Sequence, residues 1–138
     1  MRSKPFRAAI GDLYWIARVC RHDILHSVNA LSRVSNNPGP THWHARCRVL
    51  RYLDHTKDMQ LIYTRTNDRK VSSYCDSDWA PDYGTYYDNY RSTSGAIHTV
   101  DGNPVLWRSR RQDRTAQSSC EAAFYSAASA SKDAIFLD

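Results

Sequence analysis

The chain has 138 residues, room for one or two small domains with a buried core. It carries 19 Lys and Arg against 14 Asp and Glu, a net charge of +5 that fits a polyanionic partner without requiring one. Four scattered cysteines with no CxxC pair argue against a zinc knuckle, and no apolar stretch reaches the length of a signal-peptide core or a membrane span. An intracellular protein with free thiols, in cytoplasm or nucleus and with no membrane partner, is the expectation.

The first third reads as helical. Phe6, Ala9, Ile10, Leu13, Ile16, Ala17 and Cys20 follow the three-four spacing of one helix face, and Pro5 suits its first turn. Asp23 is placed to cap a second helix carrying Ile24, Val28 and Leu31 on one side. Ser35 to Pro40 is a loop by composition. Thr41 then caps a third helix, with Trp43, Cys47, Leu50 and Leu53 as its apolar stripe. His44, Arg46, Arg48 and Arg51 occupy its other faces, either as a solvated surface or as a phosphate-tracking one.

Near residue 58 the apolar period changes to two, and Met59, Leu61 and Tyr63 read as a strand. Thr64 to Arg69 is a polar connector, which divides the chain into domains 1–65 and 66–138. Val71 to Cys75 reads as a strand, and a loop rich in tyrosine follows from about Trp79 to Tyr90. Ser94 to Val100 and Val105 to Arg110 are strand-like runs around the turn Asp101-Gly102-Asn103, which predicts a hairpin. The second of these runs ends in a basic stretch, with Arg108, Arg110 and Arg111. Ser118 to Leu137 is an alanine-rich helix, with Cys120, Phe124, Ala127, Ser131 and Ile135 on one face.

Two constellations can carry chemistry. Asp76, at the end of a strand, has Asp78 two positions on; such carboxylates suit Mg²⁺, and they also suit a solvated acidic turn. Ser118 and Glu121 have the spacing of a capping box, a structural role. His42 and His44, two apart on a helix, fall on different faces and make a poor metal pair.

Several motifs share one resemblance. Asp76-Ser77-Asp78-Trp79-Ala80, Arg91-Ser92-Thr93-Ser94-Gly95, Pro104-Val105-Leu106-Trp107 and Ser118-Ser119 resemble the ribonuclease H signature of copia-type retrotransposons. Upstream, Arg48-Val49-Leu50-Arg51-Tyr52-Leu53, Leu31-Ser32-Arg33 and His42-Trp43 resemble the end of the family's reverse transcriptase and its connection. Arg21-His22-Asp23-Ile24 does too, with His22 where the family usually has Pro.

The resemblance covers essentially the whole chain and implies an α+β fold. A helical reverse-transcriptase C-terminal segment would lead into a truncated ribonuclease H-like domain, an antiparallel strand meander with a packed helix. It implies cleavage of RNA in an RNA–DNA hybrid with two Mg²⁺, the hybrid and the rest of the Pol polyprotein as partners, and no small-molecule substrate.

Asp76 then matches the first catalytic, metal-holding Asp. Arg48, Arg51, Arg108, Arg110 and Arg111 are the candidate nucleic-acid contacts. The family's helix carries a metal-binding Glu at the position of Ala123, and Glu121, about 200 degrees away around the helix, does not replace it. The family's remaining acidic residues would lie after Asp138. These departures imply a chain inactive as given: a ribonuclease H fragment that is active only when completed by further sequence, a decayed relic, or a host-recruited nucleic-acid-binding module.

Overall fold

In the computed structural model of the chain, residues 5–66, 69–79 and 90–137 are described. They fall into two compact units, Met1–Leu61 and Ile62–Asp138. Four helices and a three-stranded antiparallel sheet among the described residues make the fold α+β.

The first unit is helical. Helix α1 (Phe6–Val19) buries Phe6, Ala9, Ile10, Leu13 and Ala17, the stripe its spacing predicts. Cys20 lies beyond its end and is exposed. Helix α2 (Leu25–Arg33) packs on α1 through Leu25, Val28 and Leu31. Asp23 does not cap α2, because a short 3₁₀ turn, His22–Ile24, occupies the place where the cap was expected.

Asp23 serves tertiary structure instead. Arg21 donates to both its carboxylate oxygens, at 3.1 and 2.9 Å, and the Tyr52 hydroxyl donates to Oδ2 at 2.9 Å. Arg21 also donates to the Thr56 carbonyl at 3.1 Å, so the pair ties the turn to the end of the third helix.

Helix α3 (Pro40–His55) starts one residue before Thr41, with Gly39 as its cap. The Gly39 N–H donates to Nδ1 of His42 at 2.9 Å, so His42 works as a capping acceptor. The expected stripe on α3 holds in part. Trp43, Cys47 and Leu53 are half-buried, Leu50 is exposed, and Val49 is the residue that goes inside.

The Arg21 hydrogen bond is the main cause holding the Asp23 carboxyl below its ordinary value. Because the folded value is the lower one, the pair's contribution is complete above the unfolded carboxylate range and is lost as pH falls through the folded value. Asp23→Asn is therefore expected to cost the first unit about 1–2 kcal/mol at pH 7 and less at pH 3. Urea melts of both proteins at the two pH values check this.

An irregular segment runs from the end of the first unit into the start of the second. Residues 59–63 form no strand. Tyr63 and Thr64 instead attach to the hairpin. The Tyr63 hydroxyl donates to the Pro104 carbonyl at 2.8 Å, the Thr64 N–H donates to Asn103 Oδ1 at 2.7 Å, and Asn103 Nδ2 donates to the Thr64 carbonyl at 2.8 Å. The apolar alternation there reads as a strand, yet its polar groups are met by a turn and a side chain.

Strand β1 (Val71–Asp78) pairs with β2 (Thr93–Val100), and β2 with β3 (Asn103–Arg111). Asp101 and Gly102 link β2 to β3 with φ of 54° and 78°, the mirror-image turn that suits a right-twisted hairpin. Asp101 locks the turn to the start of β1. The Lys70 N–H donates to its carboxylate at 2.7 Å, and its own N–H donates to the Lys70 carbonyl at 2.8 Å. Of the loop expected from Trp79 to Tyr90, residues 80–89 lie outside the described ones.

Helix α4 (Ser119–Leu137) packs across β1 and β2. The face expected inside is corrected. Ala122, Ser126, Ala130 and Asp133 face the sheet, while Phe124, Ile135 and Phe136 point outward. Small side chains let the helix lie close to the strands, and the sheet face beneath it is already filled by His98.

Candidate functional site

The antiparallel register fixes the acidic pair. Asp76 stands opposite Gly95 and Asp78 opposite Thr93. The strand runs on to Asp78, and the two side chains share one sheet face because they are two residues apart. Both are exposed. Asp76 is tied down by its backbone, whose carbonyl accepts from the Ser126 hydroxyl at 2.7 Å. Its carboxylate accepts from the Ser77 N–H at 2.8 Å. Trp79, next in the same motif, donates its indole N–H to the Ala116 carbonyl at 3.2 Å, which ties the end of β1 to the segment before α4.

Glu121 has the capping role its spacing predicts, with one difference. The Glu121 N–H donates to the Ser118 hydroxyl at 3.1 Å, and its carboxylate reaches back to the N–H of Gln117, at 2.7 Å, rather than that of Ser118. Ala123 is exposed and offers no donor atom for a metal. Among the described residues no three His, Cys, Asp or Glu side chains gather closely enough to hold a metal ion. Among the described residues, the donor set around Asp76 therefore does not fit a two-metal cluster.

The five candidate arginines are divided between the units. Arg48 and Arg51 are exposed on α3. Arg48 borders a cavity of about 320 Å³ with Asp23, Ile24, Ser27, Val49 and Tyr52. Their neighbour Arg46 stacks on Trp43, its guanidinium 4.8 Å from the ring centre. On β3, Arg108 is paired with Asp133. Arg110 is largely exposed and lies 3.4 Å from Asp113. Arg111, half-buried, lines one cavity with Arg110 and Arg114.

The site the sequence reading missed is a buried polar cluster beneath α4. His98 is fully buried. Its Nδ1 shares a hydrogen bond with the Ser73 hydroxyl at 2.8 Å, and its Nε2 lies 3.7 Å from Asp133 Oδ2. That second distance is too long for a hydrogen bond but within ion-pair range of a protonated ring. Asp133 Oδ1 accepts from Arg108.

Two signals could have revealed the cluster. His98 alternates in β2 with Ala96 and Val100, so it falls on their face of the strand. Asp133 continues the helical series Ala122, Ser126, Ala130.

The chain is 37% identical over 137 residues to secreted RxLR effector protein 161 of Plasmopara viticola, an alignment spanning 99% of this chain and 94% of that protein. It is 36% identical over 128 residues to the retrovirus-related Pol polyprotein from transposon RE2 of Arabidopsis thaliana, and 34% over 137 residues to that from transposon TNT 1-94 of Nicotiana tabacum. Those two alignments span 93% and 99% of this chain but only 8% and 10% of the polyproteins. No family model and no solved structure matches the chain. Among the described residues no helix is long and apolar enough to cross a membrane.

Proposed function

The chain belongs to the Pol polyproteins of copia-type retrotransposons, and on that premise we propose that it binds RNA–DNA hybrid as a ribonuclease H-related segment without cleaving it through its own residues. One observation carries this reading. The helix position where the family resemblance puts a metal-holding Glu is the exposed Ala123, so Asp76 is left without that partner. Two bound Mg²⁺ would supply an activated water and stabilise the leaving oxygen, but the donors among the described residues do not fit such a pair. What the chain's own residues can do is bind and orient a strand.

Net charge of +5 and exposed arginines on both α3 and β3 support the binding half of the proposal. A polyanion releases counterions when such residues neutralise its phosphates, so affinity should fall steeply with salt. The expected result is a labelled hybrid that binds at low salt, with a log–log salt slope of about −3 to −4, as roughly four phosphate contacts give. Fluorescence anisotropy measures this directly, and a hybrid that stays free at low salt would remove the proposal.

The remainder of a Pol polyprotein is the partner this reading implies. A second reading, a recruited module acting by itself, is favoured by the relative that the chain spans over 94% of its length. The two readings share the binding surface and differ in what surrounds it.

A further inference from the structure

β3 leaves the sheet at Arg111, and the chain continues beside α4 through Gln112, Asp113 and Arg114. This path brings Arg110, Arg111 and Arg114 around one cavity of about 260 Å³, closed by Ser94 of β2 and by Tyr125 and Ser129 of α4. Gln112 braces two of its walls, since its amide nitrogen donates to the Ser94 hydroxyl at 2.8 Å and to the Ala122 carbonyl at 2.9 Å.

The chemistry of this lining is one-sided. Three arginines line the cavity against one acidic residue, Asp113, which is exposed and lies 3.4 Å from Arg110 as a loose surface pair. Ser94 accepts from Gln112 and so keeps its own O–H free to donate. Ser129 adds a second hydroxyl. The Tyr125 hydroxyl already donates to Glu121 Oε1 at 3.1 Å, so Tyr125 contributes its partly exposed ring face rather than a donor.

We infer that this cavity is a phosphate-binding pocket, with Arg110 and Arg114 as the principal charged contacts and Ser94 and Ser129 as neutral donors. Guanidinium forks match phosphate oxygens in pairs, and the ring of Tyr125 is placed to stack on a base attached to that phosphate. The cavity is larger than one phosphate group needs, which leaves room for the sugar. Naming a polynucleotide backbone as the source of the phosphate rests on the proposed function; the pocket itself does not.

The test uses the full chain with two probes, a fluorescein-labelled DNA 12-mer and inorganic pyrophosphate. The 12-mer is expected to bind the Arg110→Glu and Arg114→Glu variants at least about tenfold more weakly, with a salt slope smaller by about one for each. Pyrophosphate is expected to displace the 12-mer from the unmodified chain. Arg114→Gln, which removes charge without reversing it, gives a smaller loss, and circular dichroism melts confirm that these exposed substitutions leave the fold intact.

If pyrophosphate binds and the 12-mer does not, the pocket stands with a free phosphate ester as its ligand, and the polynucleotide reading falls. If the 12-mer binds both variants as it binds the unmodified chain but is lost on Arg48→Glu/Arg51→Glu, the pocket is overturned while nucleic-acid binding stands.

Discussion

Asp133→Ala is expected to destabilise the second unit by about 3 kcal/mol, a drop in its melting midpoint of roughly 15 °C. Asp133 is buried on the sheet-facing side of α4, where it meets Arg108 on one oxygen and faces the imidazole of His98 on the other. Removing it leaves the Arg108 guanidinium without its acceptor, and burying an unpaired charge costs more than the pair ever contributed. Arg108 is 42% exposed and can turn toward water, which keeps the loss near the lower end for buried pairs. Hydrogen exchange in β1 and β2 locates the effect. Asp113→Ala, at the exposed end of the neighbouring pair, is the control and should change stability by less than about 0.5 kcal/mol. Replacing the pair together, as Arg108→Met with Asp133→Leu, should recover much of the loss, because apolar groups of similar size leave no charge unmet.

Leu13→Ala is expected to cost the first unit a similar amount, about 3–4 kcal/mol. Leu13 is 2% exposed and is the largest fully buried side chain among the described residues. It sits in the α1 stripe that packs on α2, where Val28 is also sealed from solvent. A unit of this size has a small core, so one cavity removes a large part of its total stability. Leu50→Ala on α3, by contrast, removes a side chain that is already exposed and should cost less than about 1 kcal/mol. Urea melts of the two variants, followed by far-ultraviolet circular dichroism, give both values.

These contrasts also show which parts of the fold can be read from the residues. α1 and α2 are legible because each buries large aliphatic side chains at helical spacing, and no other arrangement hides them. The hairpin is legible because Asp101-Gly102 is chemistry for one kind of turn. α4 misleads for the opposite reason. Its large residues, Phe124 and Ile135, suggest an inner face, but the space over the strands admits only Ala122, Ser126 and Ala130. Packing against a particular surface decides the face, and that surface is built by residues distant in sequence.

The same holds for Asp23 and for residues 59–63. Local pattern assigns Asp23 to a helix cap, while Arg21 and Tyr52 claim its carboxylate from 2 and 29 residues away. Met59, Leu61 and Tyr63 alternate like a strand, but strand pairing depends on a neighbour, and Tyr63 and Thr64 bond to the β2–β3 turn instead.

The candidate site divides along similar lines. Asp76 is found through its motif, and the exposed Ala123 could be identified only against a family pattern. The cluster of His98, Asp133 and Arg108 needed the register of β2 and the packing of α4 together. The basic cavity around Arg110 and Arg114 needed the path of the chain after β3. A basic stretch in a sequence says that charge is present; the fold says that it converges.

The proposed function has the chain hold a nucleic-acid strand without cutting it. The most direct test is one incubation of the chain with an RNA–DNA hybrid, labelled on its RNA strand, in Mg²⁺ at low salt. A native gel should show the hybrid shifted, and a denaturing gel of the same sample should show the RNA at full length. RNA cut in the presence of Mg²⁺, intact in its absence and intact again with Asp76→Asn, would contradict the account.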